Sequence, residues 1–194
     1  QDSEAKVLVA HERFGDAASK AADEIAFPKD RRYAVGTIAG FRPFADLSAG
    51  QPDTPPTDRA AGAVMNYTSG TTGRPKGVRR PLPPIDPDIA ATLLTGFFAM
   101  FGIKPEDANV HLCGSPLYHT AVLVFASTSL HYGHAVVLME RWTPELCLEA
   151  IQKYRVTTSH MVPTQFHRLL ALPEDVREHY DVTSTRCMVH AAAP

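Results

Sequence analysis

The segment from Tyr67 to Val78 concentrates residue types that bind phosphate. It reads Tyr-Thr-Ser-Gly-Thr-Thr-Gly-Arg-Pro-Lys-Gly-Val and contains three glycines, which allow the backbone to take positive φ and to approach a ligand closely. Four hydroxyl side chains add donors beside the backbone amides: Thr68, Ser69, Thr71 and Thr72. Lys76 adds a positive charge. A loop of this composition suits a phosphate or pyrophosphate, whose oxygens accept many hydrogen bonds.

This loop is not a Walker A loop, which requires Gly, four residues and then Gly-Lys-Ser/Thr. Here Pro75 precedes the lysine and Gly77 follows it. A flexible Ser/Gly linker is the structural alternative. The Pro-Lys-Gly ending and the apolar run Ala63–Met65 before the loop favour phosphate binding over a linker.

The twelve residues resemble the signature phosphate loop of AMP-forming acyl-CoA synthetases, a superfamily that includes luciferases and the adenylation domains of peptide synthetases. The resemblance implies that the loop cradles the β- and γ-phosphates of ATP and then the departing pyrophosphate. The residues expected to bind are Thr68, Ser69, Gly70, Thr71, Thr72, Gly73 and Lys76. Catalytic roles are expected for Thr71, Thr72 and Lys76, and either threonine is a candidate ligand for Mg²⁺.

A second motif, Ser115-Pro116-Leu117-Tyr118-His119, is similar to the segment that lies beside the acyl substrate in the same family. The resemblance implies that Tyr118 and His119 border the carboxylate end of the acyl pocket. A capped core helix with a hydrogen-bonded histidine is the alternative. Relatives often carry glycine three residues after the histidine, whereas this chain has Val122, which would reshape or narrow the pocket.

Two further stretches resemble the family. Arg141–Pro163 is expected to be scaffold, with Thr143 as a helix cap. The terminal Ala191-Ala192-Ala193-Pro194 resembles the small-residue turn against the adenine and acyl groups, and an ordinary structural turn is an equal alternative. We therefore include Ala191, Ala192, Ala193 and Pro194 among the nucleotide-binding candidates.

Composition excludes several other classes. The 194 residues are 44% hydrophobic and 21% charged with a net charge of −2, which is ordinary for a globular domain and lacks the basic stripe of a nucleic-acid binder. The three cysteines are odd in number and widely spaced, which argues against disulfides or zinc and favours the cytoplasm. No apolar run reaches the roughly 18 residues of a spanning helix. The histidines at 131, 134, 160, 167, 179 and 190 indicate no site by their spacing.

Hydrophobic patterns alternate between strand and helix along the chain. Predicted strands are Val7–Ala10, Tyr33–Ile38, Ala63–Thr68, Val110–Cys113, His134–Met139, Val156–Val162 and Arg186–His190. Predicted helices include Ala17–Ala22, Thr143–Tyr154 and Thr164–Leu170, with buried helices at Ile89–Phe101 and Tyr118–Leu130. The alternation predicts an α/β fold with a largely parallel sheet and flanking helices, and the resemblance places it in the large N-terminal domain of an acyl-CoA synthetase-like fold.

The resemblance covers nearly the whole chain. We expect residues 1–194 to be part of the AMP-binding N-terminal domain, with a subdivision near 43–60, internal ends at Gln1 and Pro194, and the C-terminal lysine-bearing domain outside. The implied full-length activity is an ATP-dependent ligase that joins a carboxylic acid, expected to be a fatty acid, to CoA; the piece alone is expected to be inactive. Expected partners are the acid, ATP and CoA, without nucleic acid, and a homodimer is left open. The alternatives are an amino-acid or aryl-acid adenylation domain and a truncated, non-catalytic nucleotide-binding relative.

Overall fold

The computed structural model describes residues 3–68, 76–82 and 84–191. The chain divides into two compact units. The first consists of Gln1–Arg59 and Tyr67–Arg79, and the second of Ala60–Asn66 and Arg80–Pro194. The predicted subdivision near residues 43–60 stays a prediction about domain organisation.

The first unit contains a βαβ arrangement. Strand β1 (Leu8–His11), helix α1 (Gly15–Glu24) and strand β2 (Arg32–Val35) follow one another, and the short strand β3 (Arg42–Pro43) pairs with β2. Both pairings are parallel, in the order β1-β2-β3. The predicted parallel βαβ unit is therefore confirmed, although the second strand ends at Val35 rather than Ile38.

A buried arginine holds the connection between α1 and β2. Arg32 is 5% exposed, and its guanidinium donates to the Asp23 carboxylate at 2.6 Å and to the Phe27 carbonyl oxygen at 2.6 Å. The same group lies over the Phe41 ring, 5.9 Å from its centroid. Because the buried charge is hydrogen-bonded, its desolvation is compensated.

Strands β4 (Asn66–Thr68) and β5 (Lys76–Val78) form a two-stranded sheet. The predicted strand began at Ala63, but residues 63–65 carry no strand. Residues 69–75, which contain Ser69, Gly70, Thr71, Thr72 and Gly73, lie outside the described residues. Predictions for that segment are therefore not tested by the structure.

The segment after the prolines differs from its prediction. Helix α2 (Pro87–Thr95) is capped by Asp86, whose carboxylate accepts from the Asp88 amide at 2.8 Å. A 3₁₀ helix, Gly96–Phe101, follows and ends at Gly102 with φ of 67°. The prediction of one buried helix over Ile89–Phe101 is wrong, because apolar α2 side chains are exposed (Leu93 by 71%), whereas Phe98 of the 3₁₀ segment is buried.

The second unit is built on a parallel sheet of four strands. In chain order its elements are β6 (Val110–Cys113), α3 (Thr120–His131), β7 (Ala135–Leu138), α4 (Pro144–Tyr154), β8 (Thr158–Met161), α5 (Pro163–Leu170), α6 (Glu174–Glu178) and β9 (Cys187–His190). The strand order is β7-β6-β8-β9, and every pairing is parallel. The predicted α/β fold is confirmed.

Helices cover both faces of this sheet. On one face, α4 packs its buried Cys147 and Ile151 against Leu112 and Met161. Thr143 caps α4 as predicted, accepting from the Leu146 amide at 3.2 Å. Strand β8 is buried at all four positions although its sequence is Thr-Ser-His-Met, so burial on both faces here includes polar side chains.

Helix α3 lies on the opposite face, where Val122 and Ala126 pack with Cys113. It begins at Thr120, so the predicted start at Tyr118 is two residues early. Leu130, predicted to lie in a buried helix, is 64% exposed. Only one side of α3 meets the sheet, and Leu130 lies off that side.

Because the four strands run in the same direction, their carboxyl ends lie along one margin of the sheet, which we call the carboxyl edge. It is formed by the residues that follow Cys113, Leu138, Met161 and His190. Ligands of open parallel sheets bind outside such edges. Among the described residues, no helix has the length and apolar character needed to cross a bilayer.

Candidate active site

The second motif lies at the carboxyl edge, between β6 and α3. His119 is the N-cap residue of α3, and its amide donates to the Pro116 carbonyl oxygen at 3.1 Å. Tyr118 is 73% exposed, and its ring centroid lies 4.6 Å from that of His119. The structure thus presents both predicted substrate residues on the surface, where a ligand can reach them. The alternative of a capped core helix with a hydrogen-bonded histidine is not what the structure shows, because α3 has no side-chain cap hydrogen bond and His119 is exposed.

The predicted alanine turn begins at the same edge. Ala191 directly follows β9 and is exposed, whereas Ala192, Ala193 and Pro194 lie outside the described residues. Since β8 separates β9 from β6, Ala191 is two strand spacings, or roughly 10 Å, from the end of β6. The topology therefore places two predicted site segments, the Tyr118-His119 pair and Ala191, at the carboxyl edge of the same sheet.

A buried glutamine, which the sequence analysis missed, connects β6 to β8. Gln165 is 7% exposed, and its Nε2 donates to the Gly114 carbonyl oxygen at 3.2 Å. Its Oε1 accepts from the Val162 amide at 3.1 Å and from the Ser115 hydroxyl at 3.3 Å. One side chain thus fixes the backbone where two strands leave the sheet. The sequence signal was present, because glutamine at the third position of a helix commonly bonds back to the N-cap amide.

Gly114 is required at this edge by space rather than by backbone angle. A Cβ there would lie 2.6 Å from Cδ1 of Trp142 and 3.4 Å from Nε2 of Gln165. The indole itself lies under Arg168, whose guanidinium carbon is 5.1 Å from the ring centroid. The tight contact fixes the path of the chain into the Ser115–His119 motif.

The strand that leads toward the phosphate loop is tied to the start of α3. Nδ2 of Asn66 donates to the hydroxyl of Thr120 at 2.5 Å. Asn66 is the first residue of β4 and lies three residues before Ser69, while Thr120 follows His119. Asn66 is not recognisable as a site residue from the sequence, because an asparagine within an apolar stretch has no distinctive spacing.

Lys76, the charged residue of the first motif, is exposed and is the first residue of β5. Thr68 is the last residue of β4. These two residues are the described ends of the phosphate loop. Their expected roles in nucleotide binding stay predictions.

Two histidines and a phenylalanine form a layer between α3 and the sheet, which we call the imidazole layer: His111, Phe125 and His160. The Phe125 ring stacks against both imidazoles, at 5.9 Å from His111 and 5.0 Å from His160. Nδ1 of His111 lies 3.0 Å from the Thr158 hydroxyl. Burial, followed by the charges of His160 and His134, lowers the pKa of His111 to about 4, and burial also lowers the pKa of His160. Both rings are neutral at pH 7.

Thiol and metal chemistry find no support in the described part of the chain. Burial raises the pKa of the Cys113 and Cys147 thiols to about 11, so neither is a thiolate nucleophile at neutral pH. Within residues 3–68, 76–82 and 84–191, no three His, Cys, Asp or Glu side chains are grouped as metal ligands. The Mg²⁺ ligand predicted at Thr71 or Thr72 falls outside these residues and stays a prediction.

The fold is that of the N-terminal domain of adenylate-forming enzymes. The chain superposes on the amide bond synthetase McbA from Marinactinospora thermotolerans with a TM-score of 0.75 at 23% identity, covering 100% of this chain and 36% of that one. It also superposes on the luciferase-like enzyme of the nonluminescent mealworm Zophobas morio, with a TM-score of 0.70 at 21% identity, covering 97% and 43%. At these identities the likeness concerns the fold alone.

Sequence comparison identifies the family. The model of AMP-binding enzymes matches residues 1–194, and the chain belongs to this family, as the Tyr67–Val78 motif predicted. A 4-coumarate–CoA ligase from Pinus taeda is 35% identical over 142 residues, which cover 68% of this chain and 24% of that protein. A 2-succinylbenzoate–CoA ligase from Bacillus pumilus (strain SAFR-032) is 31% identical over 132 residues, covering 68% and 25%. The chain spans about a quarter of the length of these relatives.

Proposed function

We propose that the full-length protein is an AMP-forming ligase that activates a carboxylic acid as acyl-AMP and then transfers the acyl group to CoA. One observation carries the proposal. In a chain of the AMP-binding family, the carboxyl edge of a parallel sheet presents the exposed Tyr118-His119 pair together with Ala191. Family membership, the CoA ligase relatives and the position of the motif all favour the same chemistry.

The proposed reaction has two displacements. A carboxylate oxygen of the acid attacks the α-phosphorus of ATP; the new P–O bond forms as the bond to the β-phosphate oxygen breaks, and pyrophosphate leaves. The CoA thiol then attacks the acyl carbonyl carbon. The C–S bond forms, the bond to the AMP oxygen breaks, and the thiol proton is released.

The phosphate loop supplies the proposed electrostatic catalysis. The hydroxyls and amides of residues 68–73 and the ammonium group of Lys76 hold the β- and γ-phosphates, and preorganised donors stabilise the charge that develops on pyrophosphate. Lys76 is exposed and so available to a phosphate. Thr71 or Thr72 is proposed as a ligand of Mg²⁺, and Ala191–Pro194 as the surface against the adenine.

Tyr118 and His119 are proposed to border the carboxylate end of the acid. Their paired rings form an exposed polar and aromatic surface beside the N-terminus of α3. The hydrogen bond between Asn66 and Thr120 links this helix start to the strand that leads into the phosphate loop.

For the acid itself, we propose an aromatic carboxylic acid. The sequence motifs favour a fatty acid, but the relatives at 31–35% identity are named for 4-coumarate and 2-succinylbenzoate, which favours the aryl-acid alternative. A fatty acid is the second candidate. CoA rather than a carrier protein is proposed as the acceptor, because both relatives are CoA ligases.

Pyrophosphate exchange with the full-length protein tests the proposal. We expect acid-dependent exchange of ³²P-pyrophosphate into ATP, and a CoA thioester as the final product. Lys76→Ala should slow exchange roughly 10- to 100-fold, since a charged hydrogen bond contributes about 1.5–3 kcal/mol. Arg79→Ala is the matched control: Arg79 is an exposed cation three residues along, paired with Glu4 at 3.0 Å, and its loss should change the rate less than about twofold.

The alternatives give different outcomes in the same assay. An amino-acid adenylation domain would exchange pyrophosphate with amino acids and form no CoA thioester. A non-catalytic relative would bind ATP but would show no pyrophosphate exchange with any acid. An unchanged rate in Lys76→Ala would contradict the role of the loop.

A further inference from the structure

The side chain of Asn66 joins the strand before the phosphate loop to the helix that follows the Ser115–His119 motif. Its Nδ2 donates to the Thr120 hydroxyl at 2.5 Å, across 54 residues of sequence. Asn66 is the first residue of β4, whereas Thr120 is the first residue of α3 and directly follows His119. A single side-chain contact therefore connects the two segments in which the sequence predicts substrate binding.

Asn66 lies where the chain passes from one compact unit to the other. The segment Ala60–Asn66 belongs to the second unit, as does α3, whereas Tyr67–Arg79, which carries the phosphate loop, belongs to the first. The Ala61 amide donates to the Ile85 carbonyl oxygen at 2.9 Å, so the segment is attached within the second unit near both of its ends. Asn66 thus attaches the chain to α3 directly before it enters the part that carries the loop.

The proposed chemistry depends on how the two motifs are held. A carboxylate beside Tyr118 and His119 must attack the α-phosphorus of an ATP whose β- and γ-phosphates lie in a loop that begins at Thr68. Thr68 is two residues after Asn66 on β4, which corresponds to roughly 7 Å in an extended strand. A misplacement of about 1 Å between reacting groups can slow a reaction roughly 100-fold. A contact between the start of β4 and the start of α3 acts on this distance.

The hydrogen bond is suited to positioning rather than to global stability. Asn66 is half-buried and Thr120 is exposed, so water can solvate both groups when the bond opens. A neutral hydrogen bond of this kind contributes little to the free energy of unfolding, because water replaces it in the unfolded chain. Its preferred length and angle nevertheless fix the direction in which the two segments meet. Removing the bond should therefore leave the protein folded and alter the relative position of the segments.

We propose that Asn66 is a positioning residue that, through Thr120, holds the phosphate loop in place for attack by the acid. The proposal rests on the proposed function, since it takes the loop to bind ATP and the Ser115–His119 motif to bind the acid. Asn66 acts through Thr120 and contributes to the first displacement, which forms acyl-AMP. It does not contribute to the second, because pyrophosphate has then left and the loop holds no reacting group.

The two half-reactions of the full-length protein test this separately. Pyrophosphate exchange is measured with a panel of 4-coumarate, benzoate, octanoate and palmitate, and the acid with the highest wild-type rate is carried forward. Asn66→Ala should lower kcat of exchange about fivefold, the value of one neutral hydrogen bond. KM for ATP and for the acid should stay within about twofold, because each motif keeps its own binding groups. Transfer of the acyl group from added acyl-AMP to CoA should keep its wild-type rate.

Thr120→Val removes the accepting hydroxyl with little change in size and should give the same pattern. The double variant Asn66→Ala/Thr120→Val should lose no more than either single variant, since both remove the same hydrogen bond. Thr185→Val is the matched control. The Thr185 hydroxyl donates to the Val182 carbonyl oxygen at 2.8 Å before the start of β9, at the margin of the sheet opposite the carboxyl edge, so exchange should stay within twofold of wild type.

The outcomes distinguish the two proposals. Wild-type protein that exchanges pyrophosphate with no acid of the panel would refute the proposed function and the role of Asn66 with it. Where the wild type exchanges, kcat within twofold of wild type in Asn66→Ala would overturn only the role of Asn66. Equal slowing of exchange and of acyl transfer would overturn it too, because a general structural defect affects both half-reactions alike, and so would losses that multiply in the double variant.

Discussion

Replacing Gln165 by leucine tests whether one side chain holds the carboxyl edge together. Leucine preserves the approximate size but removes three hydrogen bonds, to the Gly114 carbonyl, the Val162 amide and the Ser115 hydroxyl. Each contributes about 1 kcal/mol net, and backbone groups left unpaired in a buried place cost somewhat more. Part of the loss is offset by the apolar surface that leucine buries. We expect a net local destabilisation of about 2–3 kcal/mol.

Hydrogen exchange followed by mass spectrometry measures this local destabilisation in the full-length protein. A destabilisation of 2–3 kcal/mol corresponds to exchange about 30- to 160-fold faster when exchange follows local opening. The effect should be concentrated in the peptides that contain Gly114 and Val162. Gln152→Leu on α4 is the matched control: Gln152 is exposed and accepts one hydrogen bond, from the Asp181 amide at 2.7 Å.

The outcome also bears on function. If Gln165 positions the start of the Ser115–His119 motif, the variant should raise KM for the acid while KM for ATP changes little, because the phosphate loop is a separate segment. Hydrogen exchange within twofold of the wild-type rate in both peptides would refute the proposed role of Gln165. An equal acceleration of hydrogen exchange in Gln152→Leu would refute it as well.

Two further changes give sharp expectations. Gly114→Ala places a Cβ 2.6 Å from the Trp142 ring, and such overpacking costs about 1–3 kcal/mol of stability. The melting temperature should therefore fall by about 2–4 °C for each kcal/mol lost. Gly96→Ala is the control, since its Cβ meets nothing within 4 Å and should not lower the melting temperature. The pKa of His111 is about 4 in the folded protein and near 6.5 in the unfolded chain. Between these two pH values the unfolded chain binds a proton at His111 that the folded protein does not. The free energy of unfolding should therefore fall as pH drops from 6.5 to 4, by up to about 3 kcal/mol. His111→Gln should remove most of that pH dependence of the urea midpoint, and an unaltered dependence would assign it to other groups.

Local signals predicted the local structure well. The cap at Thr143, the helix that starts at Pro144 and the left-handed end at Gly102 were each readable from one or two residues, because their hydrogen bonds and backbone angles involve near neighbours. The parallel sheet followed from the alternation of strands with helices too long for hairpins. Besides element boundaries, the predictions that failed concerned burial, as in the helix predicted over Ile89–Phe101. An apolar run shows which side chains favour a core but not which of them meet a neighbouring element.

By itself, the sequence determined the family and predicted the candidate chemistry of this protein, since the donors expected to bind phosphate are neighbours along the chain: glycine amides, hydroxyls and a lysine. The tertiary structure alone decided which distant residues share the carboxyl edge. Gln165 lies fifty residues from Ser115 and still bonds to it, and His160 meets Phe125 only because β8 pairs with β6 beneath α3. Such contacts depend on strand order and on the face each strand presents, and these are properties of the packed chain that no local spacing records.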